Sequence, residues 1–203
     1  MPTDLRERLL AAANQDGRPS SDYDLNADVV LPEGRVLRPA GVLVGMIERD
    51  AGASLILTKR TSTLKHHPGQ IAFPGGKVAD GDAGPVAAAL REANEEIGLQ
   101  ADNVEVVATL PEHETVTGFS VTPVLALVKP FDPVPEAGEV AEVFEVPLQH
   151  VLDAENYGIE GRRWRGRRRQ YFTVPWGPYY IWGATARMLR ALADRMNDDS
   201  DRS

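Results

Sequence analysis

The chain has 203 residues, and its 22 basic and 30 acidic side chains give a formal net charge of −8. It contains no cysteine, which excludes disulfides, thiolate zinc sites and cysteine nucleophiles. An acidic chain repels polyanions, so neither a general nucleic-acid binder nor a membrane-surface protein is expected. The N-terminal residues lack the apolar run of a signal peptide, and no segment reaches the roughly 20 apolar residues of a membrane span. We therefore expect a cytoplasmic protein.

Hydrophobic patterning divides the chain into an N-terminal helix, a polar lead-in and a longer mixed region. The helix is predicted over residues 5–13, and the turn-rich lead-in at 14–35 is expected outside the core. Predicted strands are 40–47, 53–58, 104–110, 121–128 and 167–174, with an extended segment at 179–182 and helices at 147–154 and 184–196. This mixture predicts one layered domain over residues 36–196, preceded by the N-terminal helix and lead-in at 1–35 and followed by a frayed tail at 197–203.

The segment Pro85–Ile97 carries the strongest helical pattern of the chain. Val86, Leu90, Ala93 and Ile97 recur at intervals of four, three and four residues, which places them along one side of a helix. A proline suits the first turn because its missing N–H would have no partner there, and the glycine that follows the segment suits the C-terminal cap.

Three glutamates crowd the opposite side of this helix. Glu92 and Glu96 are four residues apart, and Glu92 and Glu95 are three apart, so the carboxylates are neighbours on the helix surface. Like charges at these spacings destabilise a helix by roughly 0.2–0.5 kcal/mol for each pair, and the negative end of the helix dipole adds to this cost. A bound Mg²⁺ or Mn²⁺ would offset both effects, since these ions prefer oxygen ligands. A solvated acidic face is the alternative interpretation.

A glycine-rich turn precedes the helix. Phe73, Pro74, Gly75 and Gly76 end a short apolar patch, and glycines without a Cβ let the backbone approach a ligand or a metal closely. A backbone carbonyl at Gly76 could complete a carboxylate-lined metal site. Such a turn alone is weak support, but Gly-Gly followed fifteen residues later by Arg-Glu-x-x-Glu-Glu-x-Gly is far more specific.

That combination resembles the Nudix hydrolase family. The family's box is a glycine, five residues, a glutamate, seven residues, and then Arg-Glu-apolar-x-Glu-Glu-x-Gly-apolar, and residues 91–99 match its second half at every defined position. The first half departs from the box, because Asp82 stands in place of the glutamate and eight residues separate it from Arg91. We expect the additional residue to lie in the loop and to leave the helix intact, with the role of Asp82 open.

An upstream segment is similar to that of Nudix enzymes that cleave coenzyme A. These enzymes carry a pattern like Leu-Leu-Thr-x-Arg-(Ser/Ala)-x3-Arg-x3-Gly-x3-Phe-Pro-Gly-Gly, and residues 56–76 keep every spacing. Ile56, Thr61 and Lys65 soften three of its positions, and lysine lacks the bidentate fork with which arginine binds phosphate. Residues 180–186 also resemble the C-terminal segment of this subfamily.

The resemblance implies an α/β (α+β) fold, an α/β/α sandwich in which a mixed β-sheet lies between helices and the box forms a loop-helix-loop motif. It implies hydrolysis, dependent on Mg²⁺ or Mn²⁺, of the diphosphate bond of coenzyme A or its derivatives to 3′,5′-ADP and 4′-phosphopantetheine. The alternatives are another nucleoside diphosphate derivative, such as NADH or ADP-ribose, and a non-catalytic Nudix domain that binds a nucleotide or RNA. A homodimer is compatible with the family, but no residue identifies its interface.

Site residues follow from the same resemblance. Glu92 and Glu96 are the expected main metal ligands, with the carbonyl of Gly76. Glu95 is a third ligand or helps to activate water, and the two roles stay open. Arg91 is expected to orient a neighbouring carboxylate, with a surface ion pair as the alternative.

Substrate contacts and a further acid or base complete the predicted site. The expected substrate contacts, including those to its phosphates, are Arg60, Lys65, Gly69, Phe73 and Gly75. The later loop at residues 111–119 offers Glu114 or Glu112 as a metal ligand or proton acceptor, with His113 beside them. An exposed polar loop is the alternative interpretation of this segment.

Residues 162–169 form the one basic run and hold six of the 22 basic residues. We interpret this run as a hairpin that turns near Gly166 and pairs with acidic loops or with a second subunit. Binding of the substrate's extra phosphate is an alternative, and the net charge argues against nucleic acid.

Overall fold

A computed structural model describes residues 4–62, 69–164 and 166–200. Lys65, one of the predicted substrate contacts, lies outside the described residues. The helices are α1 (Leu5–Asn14), α2 (Pro85–Ile97), α3 (Leu148–Leu152) and α4 (Gly183–Ser200). The strands are β1 (Ser20–Ser21), β2 (Arg38–Arg49), β3 (Gly52–Arg60), β4 (Ile71–Ala72), β5 (Gly75–Lys77), β6 (Val104–Thr109), β7 (His113–Glu114), β8 (Phe119–Val128), β9 (Val140–Pro147), β10 (Gly158–Trp164) and β11 (Arg167–Thr173).

Nine of these strands form one mixed sheet. Its main order is β1-β7-β8-β2-β3-β4, with β5 paired to β2, β6 to β8 and β9 to β3. The central strand β2 runs parallel to β8 and antiparallel to β3 and β5. β10 and β11 form a separate antiparallel hairpin. The predicted α/β fold with a mixed sheet is confirmed.

The sheet separates two hydrophobic clusters because side chains alternate along each strand. On β2, Val44 and Met46 face a cluster that is covered by α1, α3 and α4, whereas Leu43 and Ile47 face a second cluster beneath α2. Helices therefore cover both faces of the sheet, and α2 packs alone on its own face. This arrangement leaves the polar side of α2 available for the candidate site.

The sequence pattern of α2 reproduces the observed helix. Its bounds are those of the predicted segment, Gly84 is the N-cap residue, and Gly98 ends the helix in the left-handed conformation with φ +71°. The N–H of Gly98 donates to Asn94 at 2.9 Å, which closes the last turn. None of the described helices is long and apolar enough to cross a membrane.

The N-terminal region differs from the predicted lead-in. Leu5 and Leu9 of α1 are buried in the main core cluster. β1 adds a parallel strand beside β7, with Ser20 opposite His113, and Asn26 is also buried. The expectation that residues 14–35 lie outside the core is therefore corrected: polar residues hide this strand from a hydrophobic-pattern argument, since its burial rests on hydrogen bonds.

The C-terminal half of the chain differs from the predictions at β9 and at the end of α4. β9 was not predicted, because its glutamates interrupt the apolar alternation that marks a strand. α4 extends four residues past its predicted end, to Ser200, so the first residues of the predicted frayed tail are helical. Residues 201–203 lie outside the described part of the chain.

Candidate active site

Glycines bring the turn before α2 into contact with the central strand. β5 pairs with β2 so that Gly75 lies opposite Val42 and Gly76 opposite Gly41. Gly75 has φ +152°, and a Cβ there would lie 2.4 Å from the carbonyl oxygen of Gly41. A Cβ on Gly41 would in turn lie 1.8 Å from the carbonyl oxygen of Pro85. The turn, the central strand and the start of α2 can meet only because these side chains are absent.

Glu92 projects from α2 onto this turn. A Cβ on Gly76 would lie 2.5 Å from Oε1 of Glu92, so the carboxylate occupies the space that a side chain would need. The predicted ligand pair of Glu92 and the Gly76 backbone is therefore brought together by the fold.

Glu96, one turn further along α2, is a buried carboxylate with only 5% of its surface exposed. Its Oε2 accepts a hydrogen bond from the N–H of Gly75 at 3.1 Å, and its Oε1 lies 3.8 Å from Nη1 of Arg60. Burial raises the pKa of Glu96 to about 7, opposed by the Gly75 hydrogen bond and by Arg60, and reinforced by the charges of Glu92 and Glu139. A cation at this position would therefore stabilise the ionised form.

Arg91 joins the acidic groups around the helix. Its Nε and Nη2 donate to the two oxygens of Asp82, each at 3.0 Å. Its Nη1 lies 2.9 Å from Oε1 of Glu92 and 3.1 Å from Oε2 of Glu95. The hydrogen bonds from Arg91 and from the N–H of Ala79 lower the pKa of Asp82, and the bond to Asp82 raises the pKa of Arg91. Arg91 therefore holds two glutamates, as the orienting role requires, and Asp82 holds Arg91.

The carboxylates offer part of a metal site. Within residues 4–62, 69–164 and 166–200, no three histidines, cysteines or acidic residues converge as a complete set of ligands. Glu92 and Glu96 nevertheless present hard oxygen donors beside the Gly75 and Gly76 backbone. Mg²⁺ is commonly held by one or two carboxylates, with waters and substrate phosphates as its other ligands. The donors that the chain provides fit a hard divalent cation of this kind.

Two of the predicted substrate contacts, Arg60 and Gly75, contact the carboxylate of Glu96. Gly69 adopts φ +69° in the turn that leads to β4. Phe73 is only 3% exposed and packs in the main core cluster. Its expected role as a substrate contact is therefore corrected, because the buried ring supports the turn from below.

The later loop is tied to the N-terminal region. Glu114 forms an ion pair with Arg35, and Glu112 accepts a hydrogen bond from the hydroxyl of Ser120. His113 is fully buried between Ser20, 2.9 Å from its Nδ1, and Asp22, 3.2 Å from its Nε2. These contacts hold the loop against the N-terminal region and β8, and none of them joins it to α2.

The position of Glu114 in the sheet also separates it from the glycine turn. β8 and β2 intervene between β7 and β5. At roughly 4.8 Å for each strand, the backbones of β7 and β5 are about 14 Å apart. A catalytic role of Glu114 stays a prediction, and it would require a substrate that spans this distance.

Glu139 was missed by the sequence argument. It lies in the segment that crosses the C-terminal end of α2, where the N–H of Glu136 donates to the carbonyl of Glu96 at 2.9 Å. The carbonyl of Glu139 accepts from the N–H of Thr61 at 2.9 Å, directly beside Arg60. Its charge contributes to the raised pKa of Glu96. Only a contact between residues far apart in sequence marks this glutamate, so no local motif could reveal it.

Comparisons with known proteins identify the family of the chain. The model of the NUDIX domain matches residues 37–164. A protein of Enterobacter sp. (strain 638), described as the uncharacterized Nudix hydrolase NudL, is 39% identical over 183 residues, which cover 84% of this chain and 95% of that protein. The protein of the same description from Cronobacter sakazakii is 43% identical over 157 residues, covering 77% of this chain and 81% of that protein.

The fold also matches solved structures. The Nudix hydrolase RenU of M. smegmatis aligns with a TM-score of 0.52 at 22% identity, over 84% of this chain and 96% of that chain. Nudix hydrolases act on nucleoside diphosphates linked to another group and generally use divalent metal ions. On the domain match and the identity to full-length relatives, this chain belongs to the Nudix hydrolase family.

Proposed function

We propose that this enzyme hydrolyses the diphosphate bond of coenzyme A or its derivatives with Mg²⁺ or Mn²⁺. The observation that carries the proposal is the 3.8 Å approach of the Arg60 guanidinium to Glu96. Arg60 belongs to the segment that resembles coenzyme A-cleaving enzymes, and Glu96 belongs to the catalytic helix. A phosphate held at Glu96 through a cation would therefore meet a guanidinium, the side chain that binds phosphate best.

The reaction adds water across the diphosphate and releases 3′,5′-ADP and 4′-phosphopantetheine. Glu92, Glu96 and the Gly76 carbonyl would hold the metal, which on binding neutralises charge on the diphosphate and lowers the pKa of a water. Arg91 keeps Glu92 in position through its contacts with Asp82. Arg60 orients the substrate, and the buried surroundings of Glu96 keep bulk water from weakening these interactions.

A proton acceptor for the attacking water is supplied by Glu95 or Glu139 in this proposal. Glu95 is the most exposed of the three box glutamates, with 58% of its side chain accessible, and it forms an ion pair with Arg91. Glu139 lies in the segment that crosses the end of α2, and its charge acts on Glu96. Both carboxylates are exposed, so water can reach them, as a general base requires.

The proposal is tested by product analysis. Purified protein is incubated with coenzyme A, NADH or ADP-ribose and an excess of Mg²⁺ or Mn²⁺. The products are then separated by chromatography. We expect 3′,5′-ADP from coenzyme A at a kcat/KM at least tenfold above that for the other two. A clear preference for NADH or ADP-ribose would overturn the coenzyme A assignment. Nucleotide binding without turnover of any substrate would favour the non-catalytic alternative.

Arg60 supplies a second test within the same assay. The Arg60→Ala variant is expected to lose tenfold or more in kcat/KM for coenzyme A, because a charge-assisted contact to phosphate is removed. Lys129→Ala is the control, since it also removes one positive charge and the Nζ of Lys129 donates to the carbonyl of Asp102 at 3.1 Å rather than meeting Glu96. Equal losses in both variants would contradict a specific role of Arg60.

A further inference from the structure

The β10–β11 hairpin places like charges directly opposite each other. Arg162 pairs with Arg169 and Arg163 pairs with Arg168 across the two strands. Like charges at directly opposed positions destabilise a β-ribbon. Successive pairs lie on opposite faces, so the arginines charge both sides of the ribbon rather than lining one pocket. A segment that carries this cost is expected to meet negative charge from elsewhere.

Three of the hairpin arginines meet no acidic side chain among the described residues. Arg162, Arg163 and Arg168 form no ion pair with any residue in the described ranges. The guanidinium of Arg168 lies across Gly161, where a Cβ would come within 2.5 Å of its Nε. Arg162, Arg163 and Arg168 therefore form an exposed basic surface that meets no carboxylate within the described part of the chain.

The base of the hairpin is held firmly. The side-chain amide of Asn26 donates to the carbonyl of Gln170 at 3.0 Å, and its oxygen accepts from the N–H of Gln170 at 2.8 Å. The hydroxyl of Tyr180 donates to Glu160 at 2.8 Å. These contacts position the ribbon before any partner arrives, which lowers the entropic cost of binding.

A strongly acidic segment lies beside the hairpin. Residues 132–145 hold five acidic and no basic side chains. They include β9, whose one partner among the described strands is β3, so its outer edge is unpaired. Tyr179 stacks on Phe144 of β9 and donates its hydroxyl to Glu142, while the next residue, Tyr180, holds the hairpin. The two adjacent tyrosines thus connect the acidic segment to the basic ribbon.

We infer that the basic hairpin of one chain docks on the acidic segment of a second copy of this chain, forming a twofold dimer. Neighbouring patches of opposite charge make one surface self-complementary, as a twofold interface requires, because each copy then offers its hairpin to the other's acidic segment. The charge balance favours this partner over a polyanion: without the six arginines, 16 basic side chains remain against 30 acidic ones. This inference is independent of the substrate assignment.

Sedimentation velocity measures the association directly. At about 50 µM protein, a concentration at which contacts of micromolar affinity are occupied, the parent is expected to be dimeric in 50 mM NaCl and to dissociate progressively towards 500 mM NaCl, because salt screens surface charges. The Arg163→Glu/Arg168→Glu variant is expected to be monomeric at both salt concentrations. The matched control Arg18→Glu/Lys129→Glu changes the net charge equally at two exposed residues elsewhere, and it should dimerise like the parent.

A mixing experiment tests the reciprocal contact. The Glu136→Arg/Glu142→Arg variant should be monomeric alone, since its acidic segment then repels the hairpin of a second copy. An equimolar mixture with the hairpin variant should restore dimers, because both contacts again join opposite charges. A parent that is monomeric at low salt, a hairpin variant that dimerises normally, or a mixture that stays monomeric would each overturn the inference. Polyphosphate binding by a monomeric parent would assign the ribbon to polyanions instead.

Discussion

The Glu92 carboxylate lies where a side chain on Gly76 would stand, 2.5 Å from the position of the missing Cβ. Gly76→Ala should therefore displace Glu92 while leaving the backbone unstrained, since Gly76 is not among the residues of positive φ. We expect kcat to fall at least tenfold and the Mg²⁺ concentration for half-maximal activity to rise. Steady-state kinetics across a metal titration provide the measurement.

The control for this substitution is Gly81→Ala. A Cβ at Gly81 would meet no atom within 4 Å, and its φ is also not positive. Its kinetics should stay within about twofold of the parent, the range expected of a surface substitution without contacts. If Gly76→Ala and Gly81→Ala had the same kcat and the same dependence on Mg²⁺, the position of Glu92 against Gly76 would not matter for catalysis.

Asp82 and Arg91 form a two-point contact that a lysine cannot reproduce. Arg91→Lys should lower the free energy of unfolding because it breaks this two-point contact, and Asp82→Asn should lower it for the same reason. The double variant should cost less than the sum of the two, because each single change already breaks the pair. Chemical denaturation measures the free energies of unfolding.

An exposed ion pair gives the reference for these values. Arg6→Lys alters the pair with Glu105, in which both side chains are about half exposed, and should lower the free energy of unfolding less than Arg91→Lys does. Strict additivity of Arg91→Lys and Asp82→Asn would show that the two residues act separately, against the bidentate contact.

The parts of the site that sequence could predict are those encoded locally. α2 was predictable because its apolar stripe, its proline and its terminal glycine all lie within fourteen residues. The spacing of Glu92 and Glu96 then places both carboxylates on one side of the helix. The contacts of Arg91 with Glu92 and Glu95 were also predictable, since these acidic residues are its neighbours along the helix.

The contacts that sequence could not predict join residues far apart along the chain. Asp82 was left without a role because the additional residue before α2 hides its alignment, yet the loop brings it onto Arg91. Glu114 was favoured as an acid or base from its loop position, but its partner Arg35 lies in a region predicted to be outside the core. Glu139 reaches Glu96 only through the path of the segment between β8 and β9.

Glu96 makes the stability of the metal-free protein depend on pH. Its pKa rises from 4.5 to about 7 on folding, so the folded state binds this proton more tightly than the unfolded state does. The stabilising contribution is full below about pH 4.5 and is lost as the pH rises towards 7. In EDTA, Glu96→Gln should therefore match the parent near pH 4.5 and exceed it by about 1–3 kcal/mol at pH 8.

Bound Mg²⁺ should reverse this order of stability between the parent and Glu96→Gln. Added Mg²⁺ is expected to stabilise the parent at pH 8 more than Glu96→Gln, since a ligand stabilises the state that binds it. Turnover of Glu96→Gln should be abolished although its fold persists. Glu105→Gln, at an exposed residue, is the control. A variant that hydrolysed substrate at the parent rate, or gained as much stability from Mg²⁺, would remove Glu96 from the metal site.

Glu139 and Glu114 compete for the role of the carboxylate outside the helix. Glu139→Gln should lower kcat by about 10²–10⁴-fold if this group accepts the proton of the attacking water, the usual contribution of a general base. The acid limb of the pH profile of kcat/KM should change with it, which a structural role would not produce. Glu114→Gln should leave this limb in place and instead slightly lower the free energy of unfolding through loss of the Arg35 ion pair. The opposite pattern, with the acid limb lost in Glu114→Gln and kept in Glu139→Gln, would return the catalytic assignment to the loop before β8.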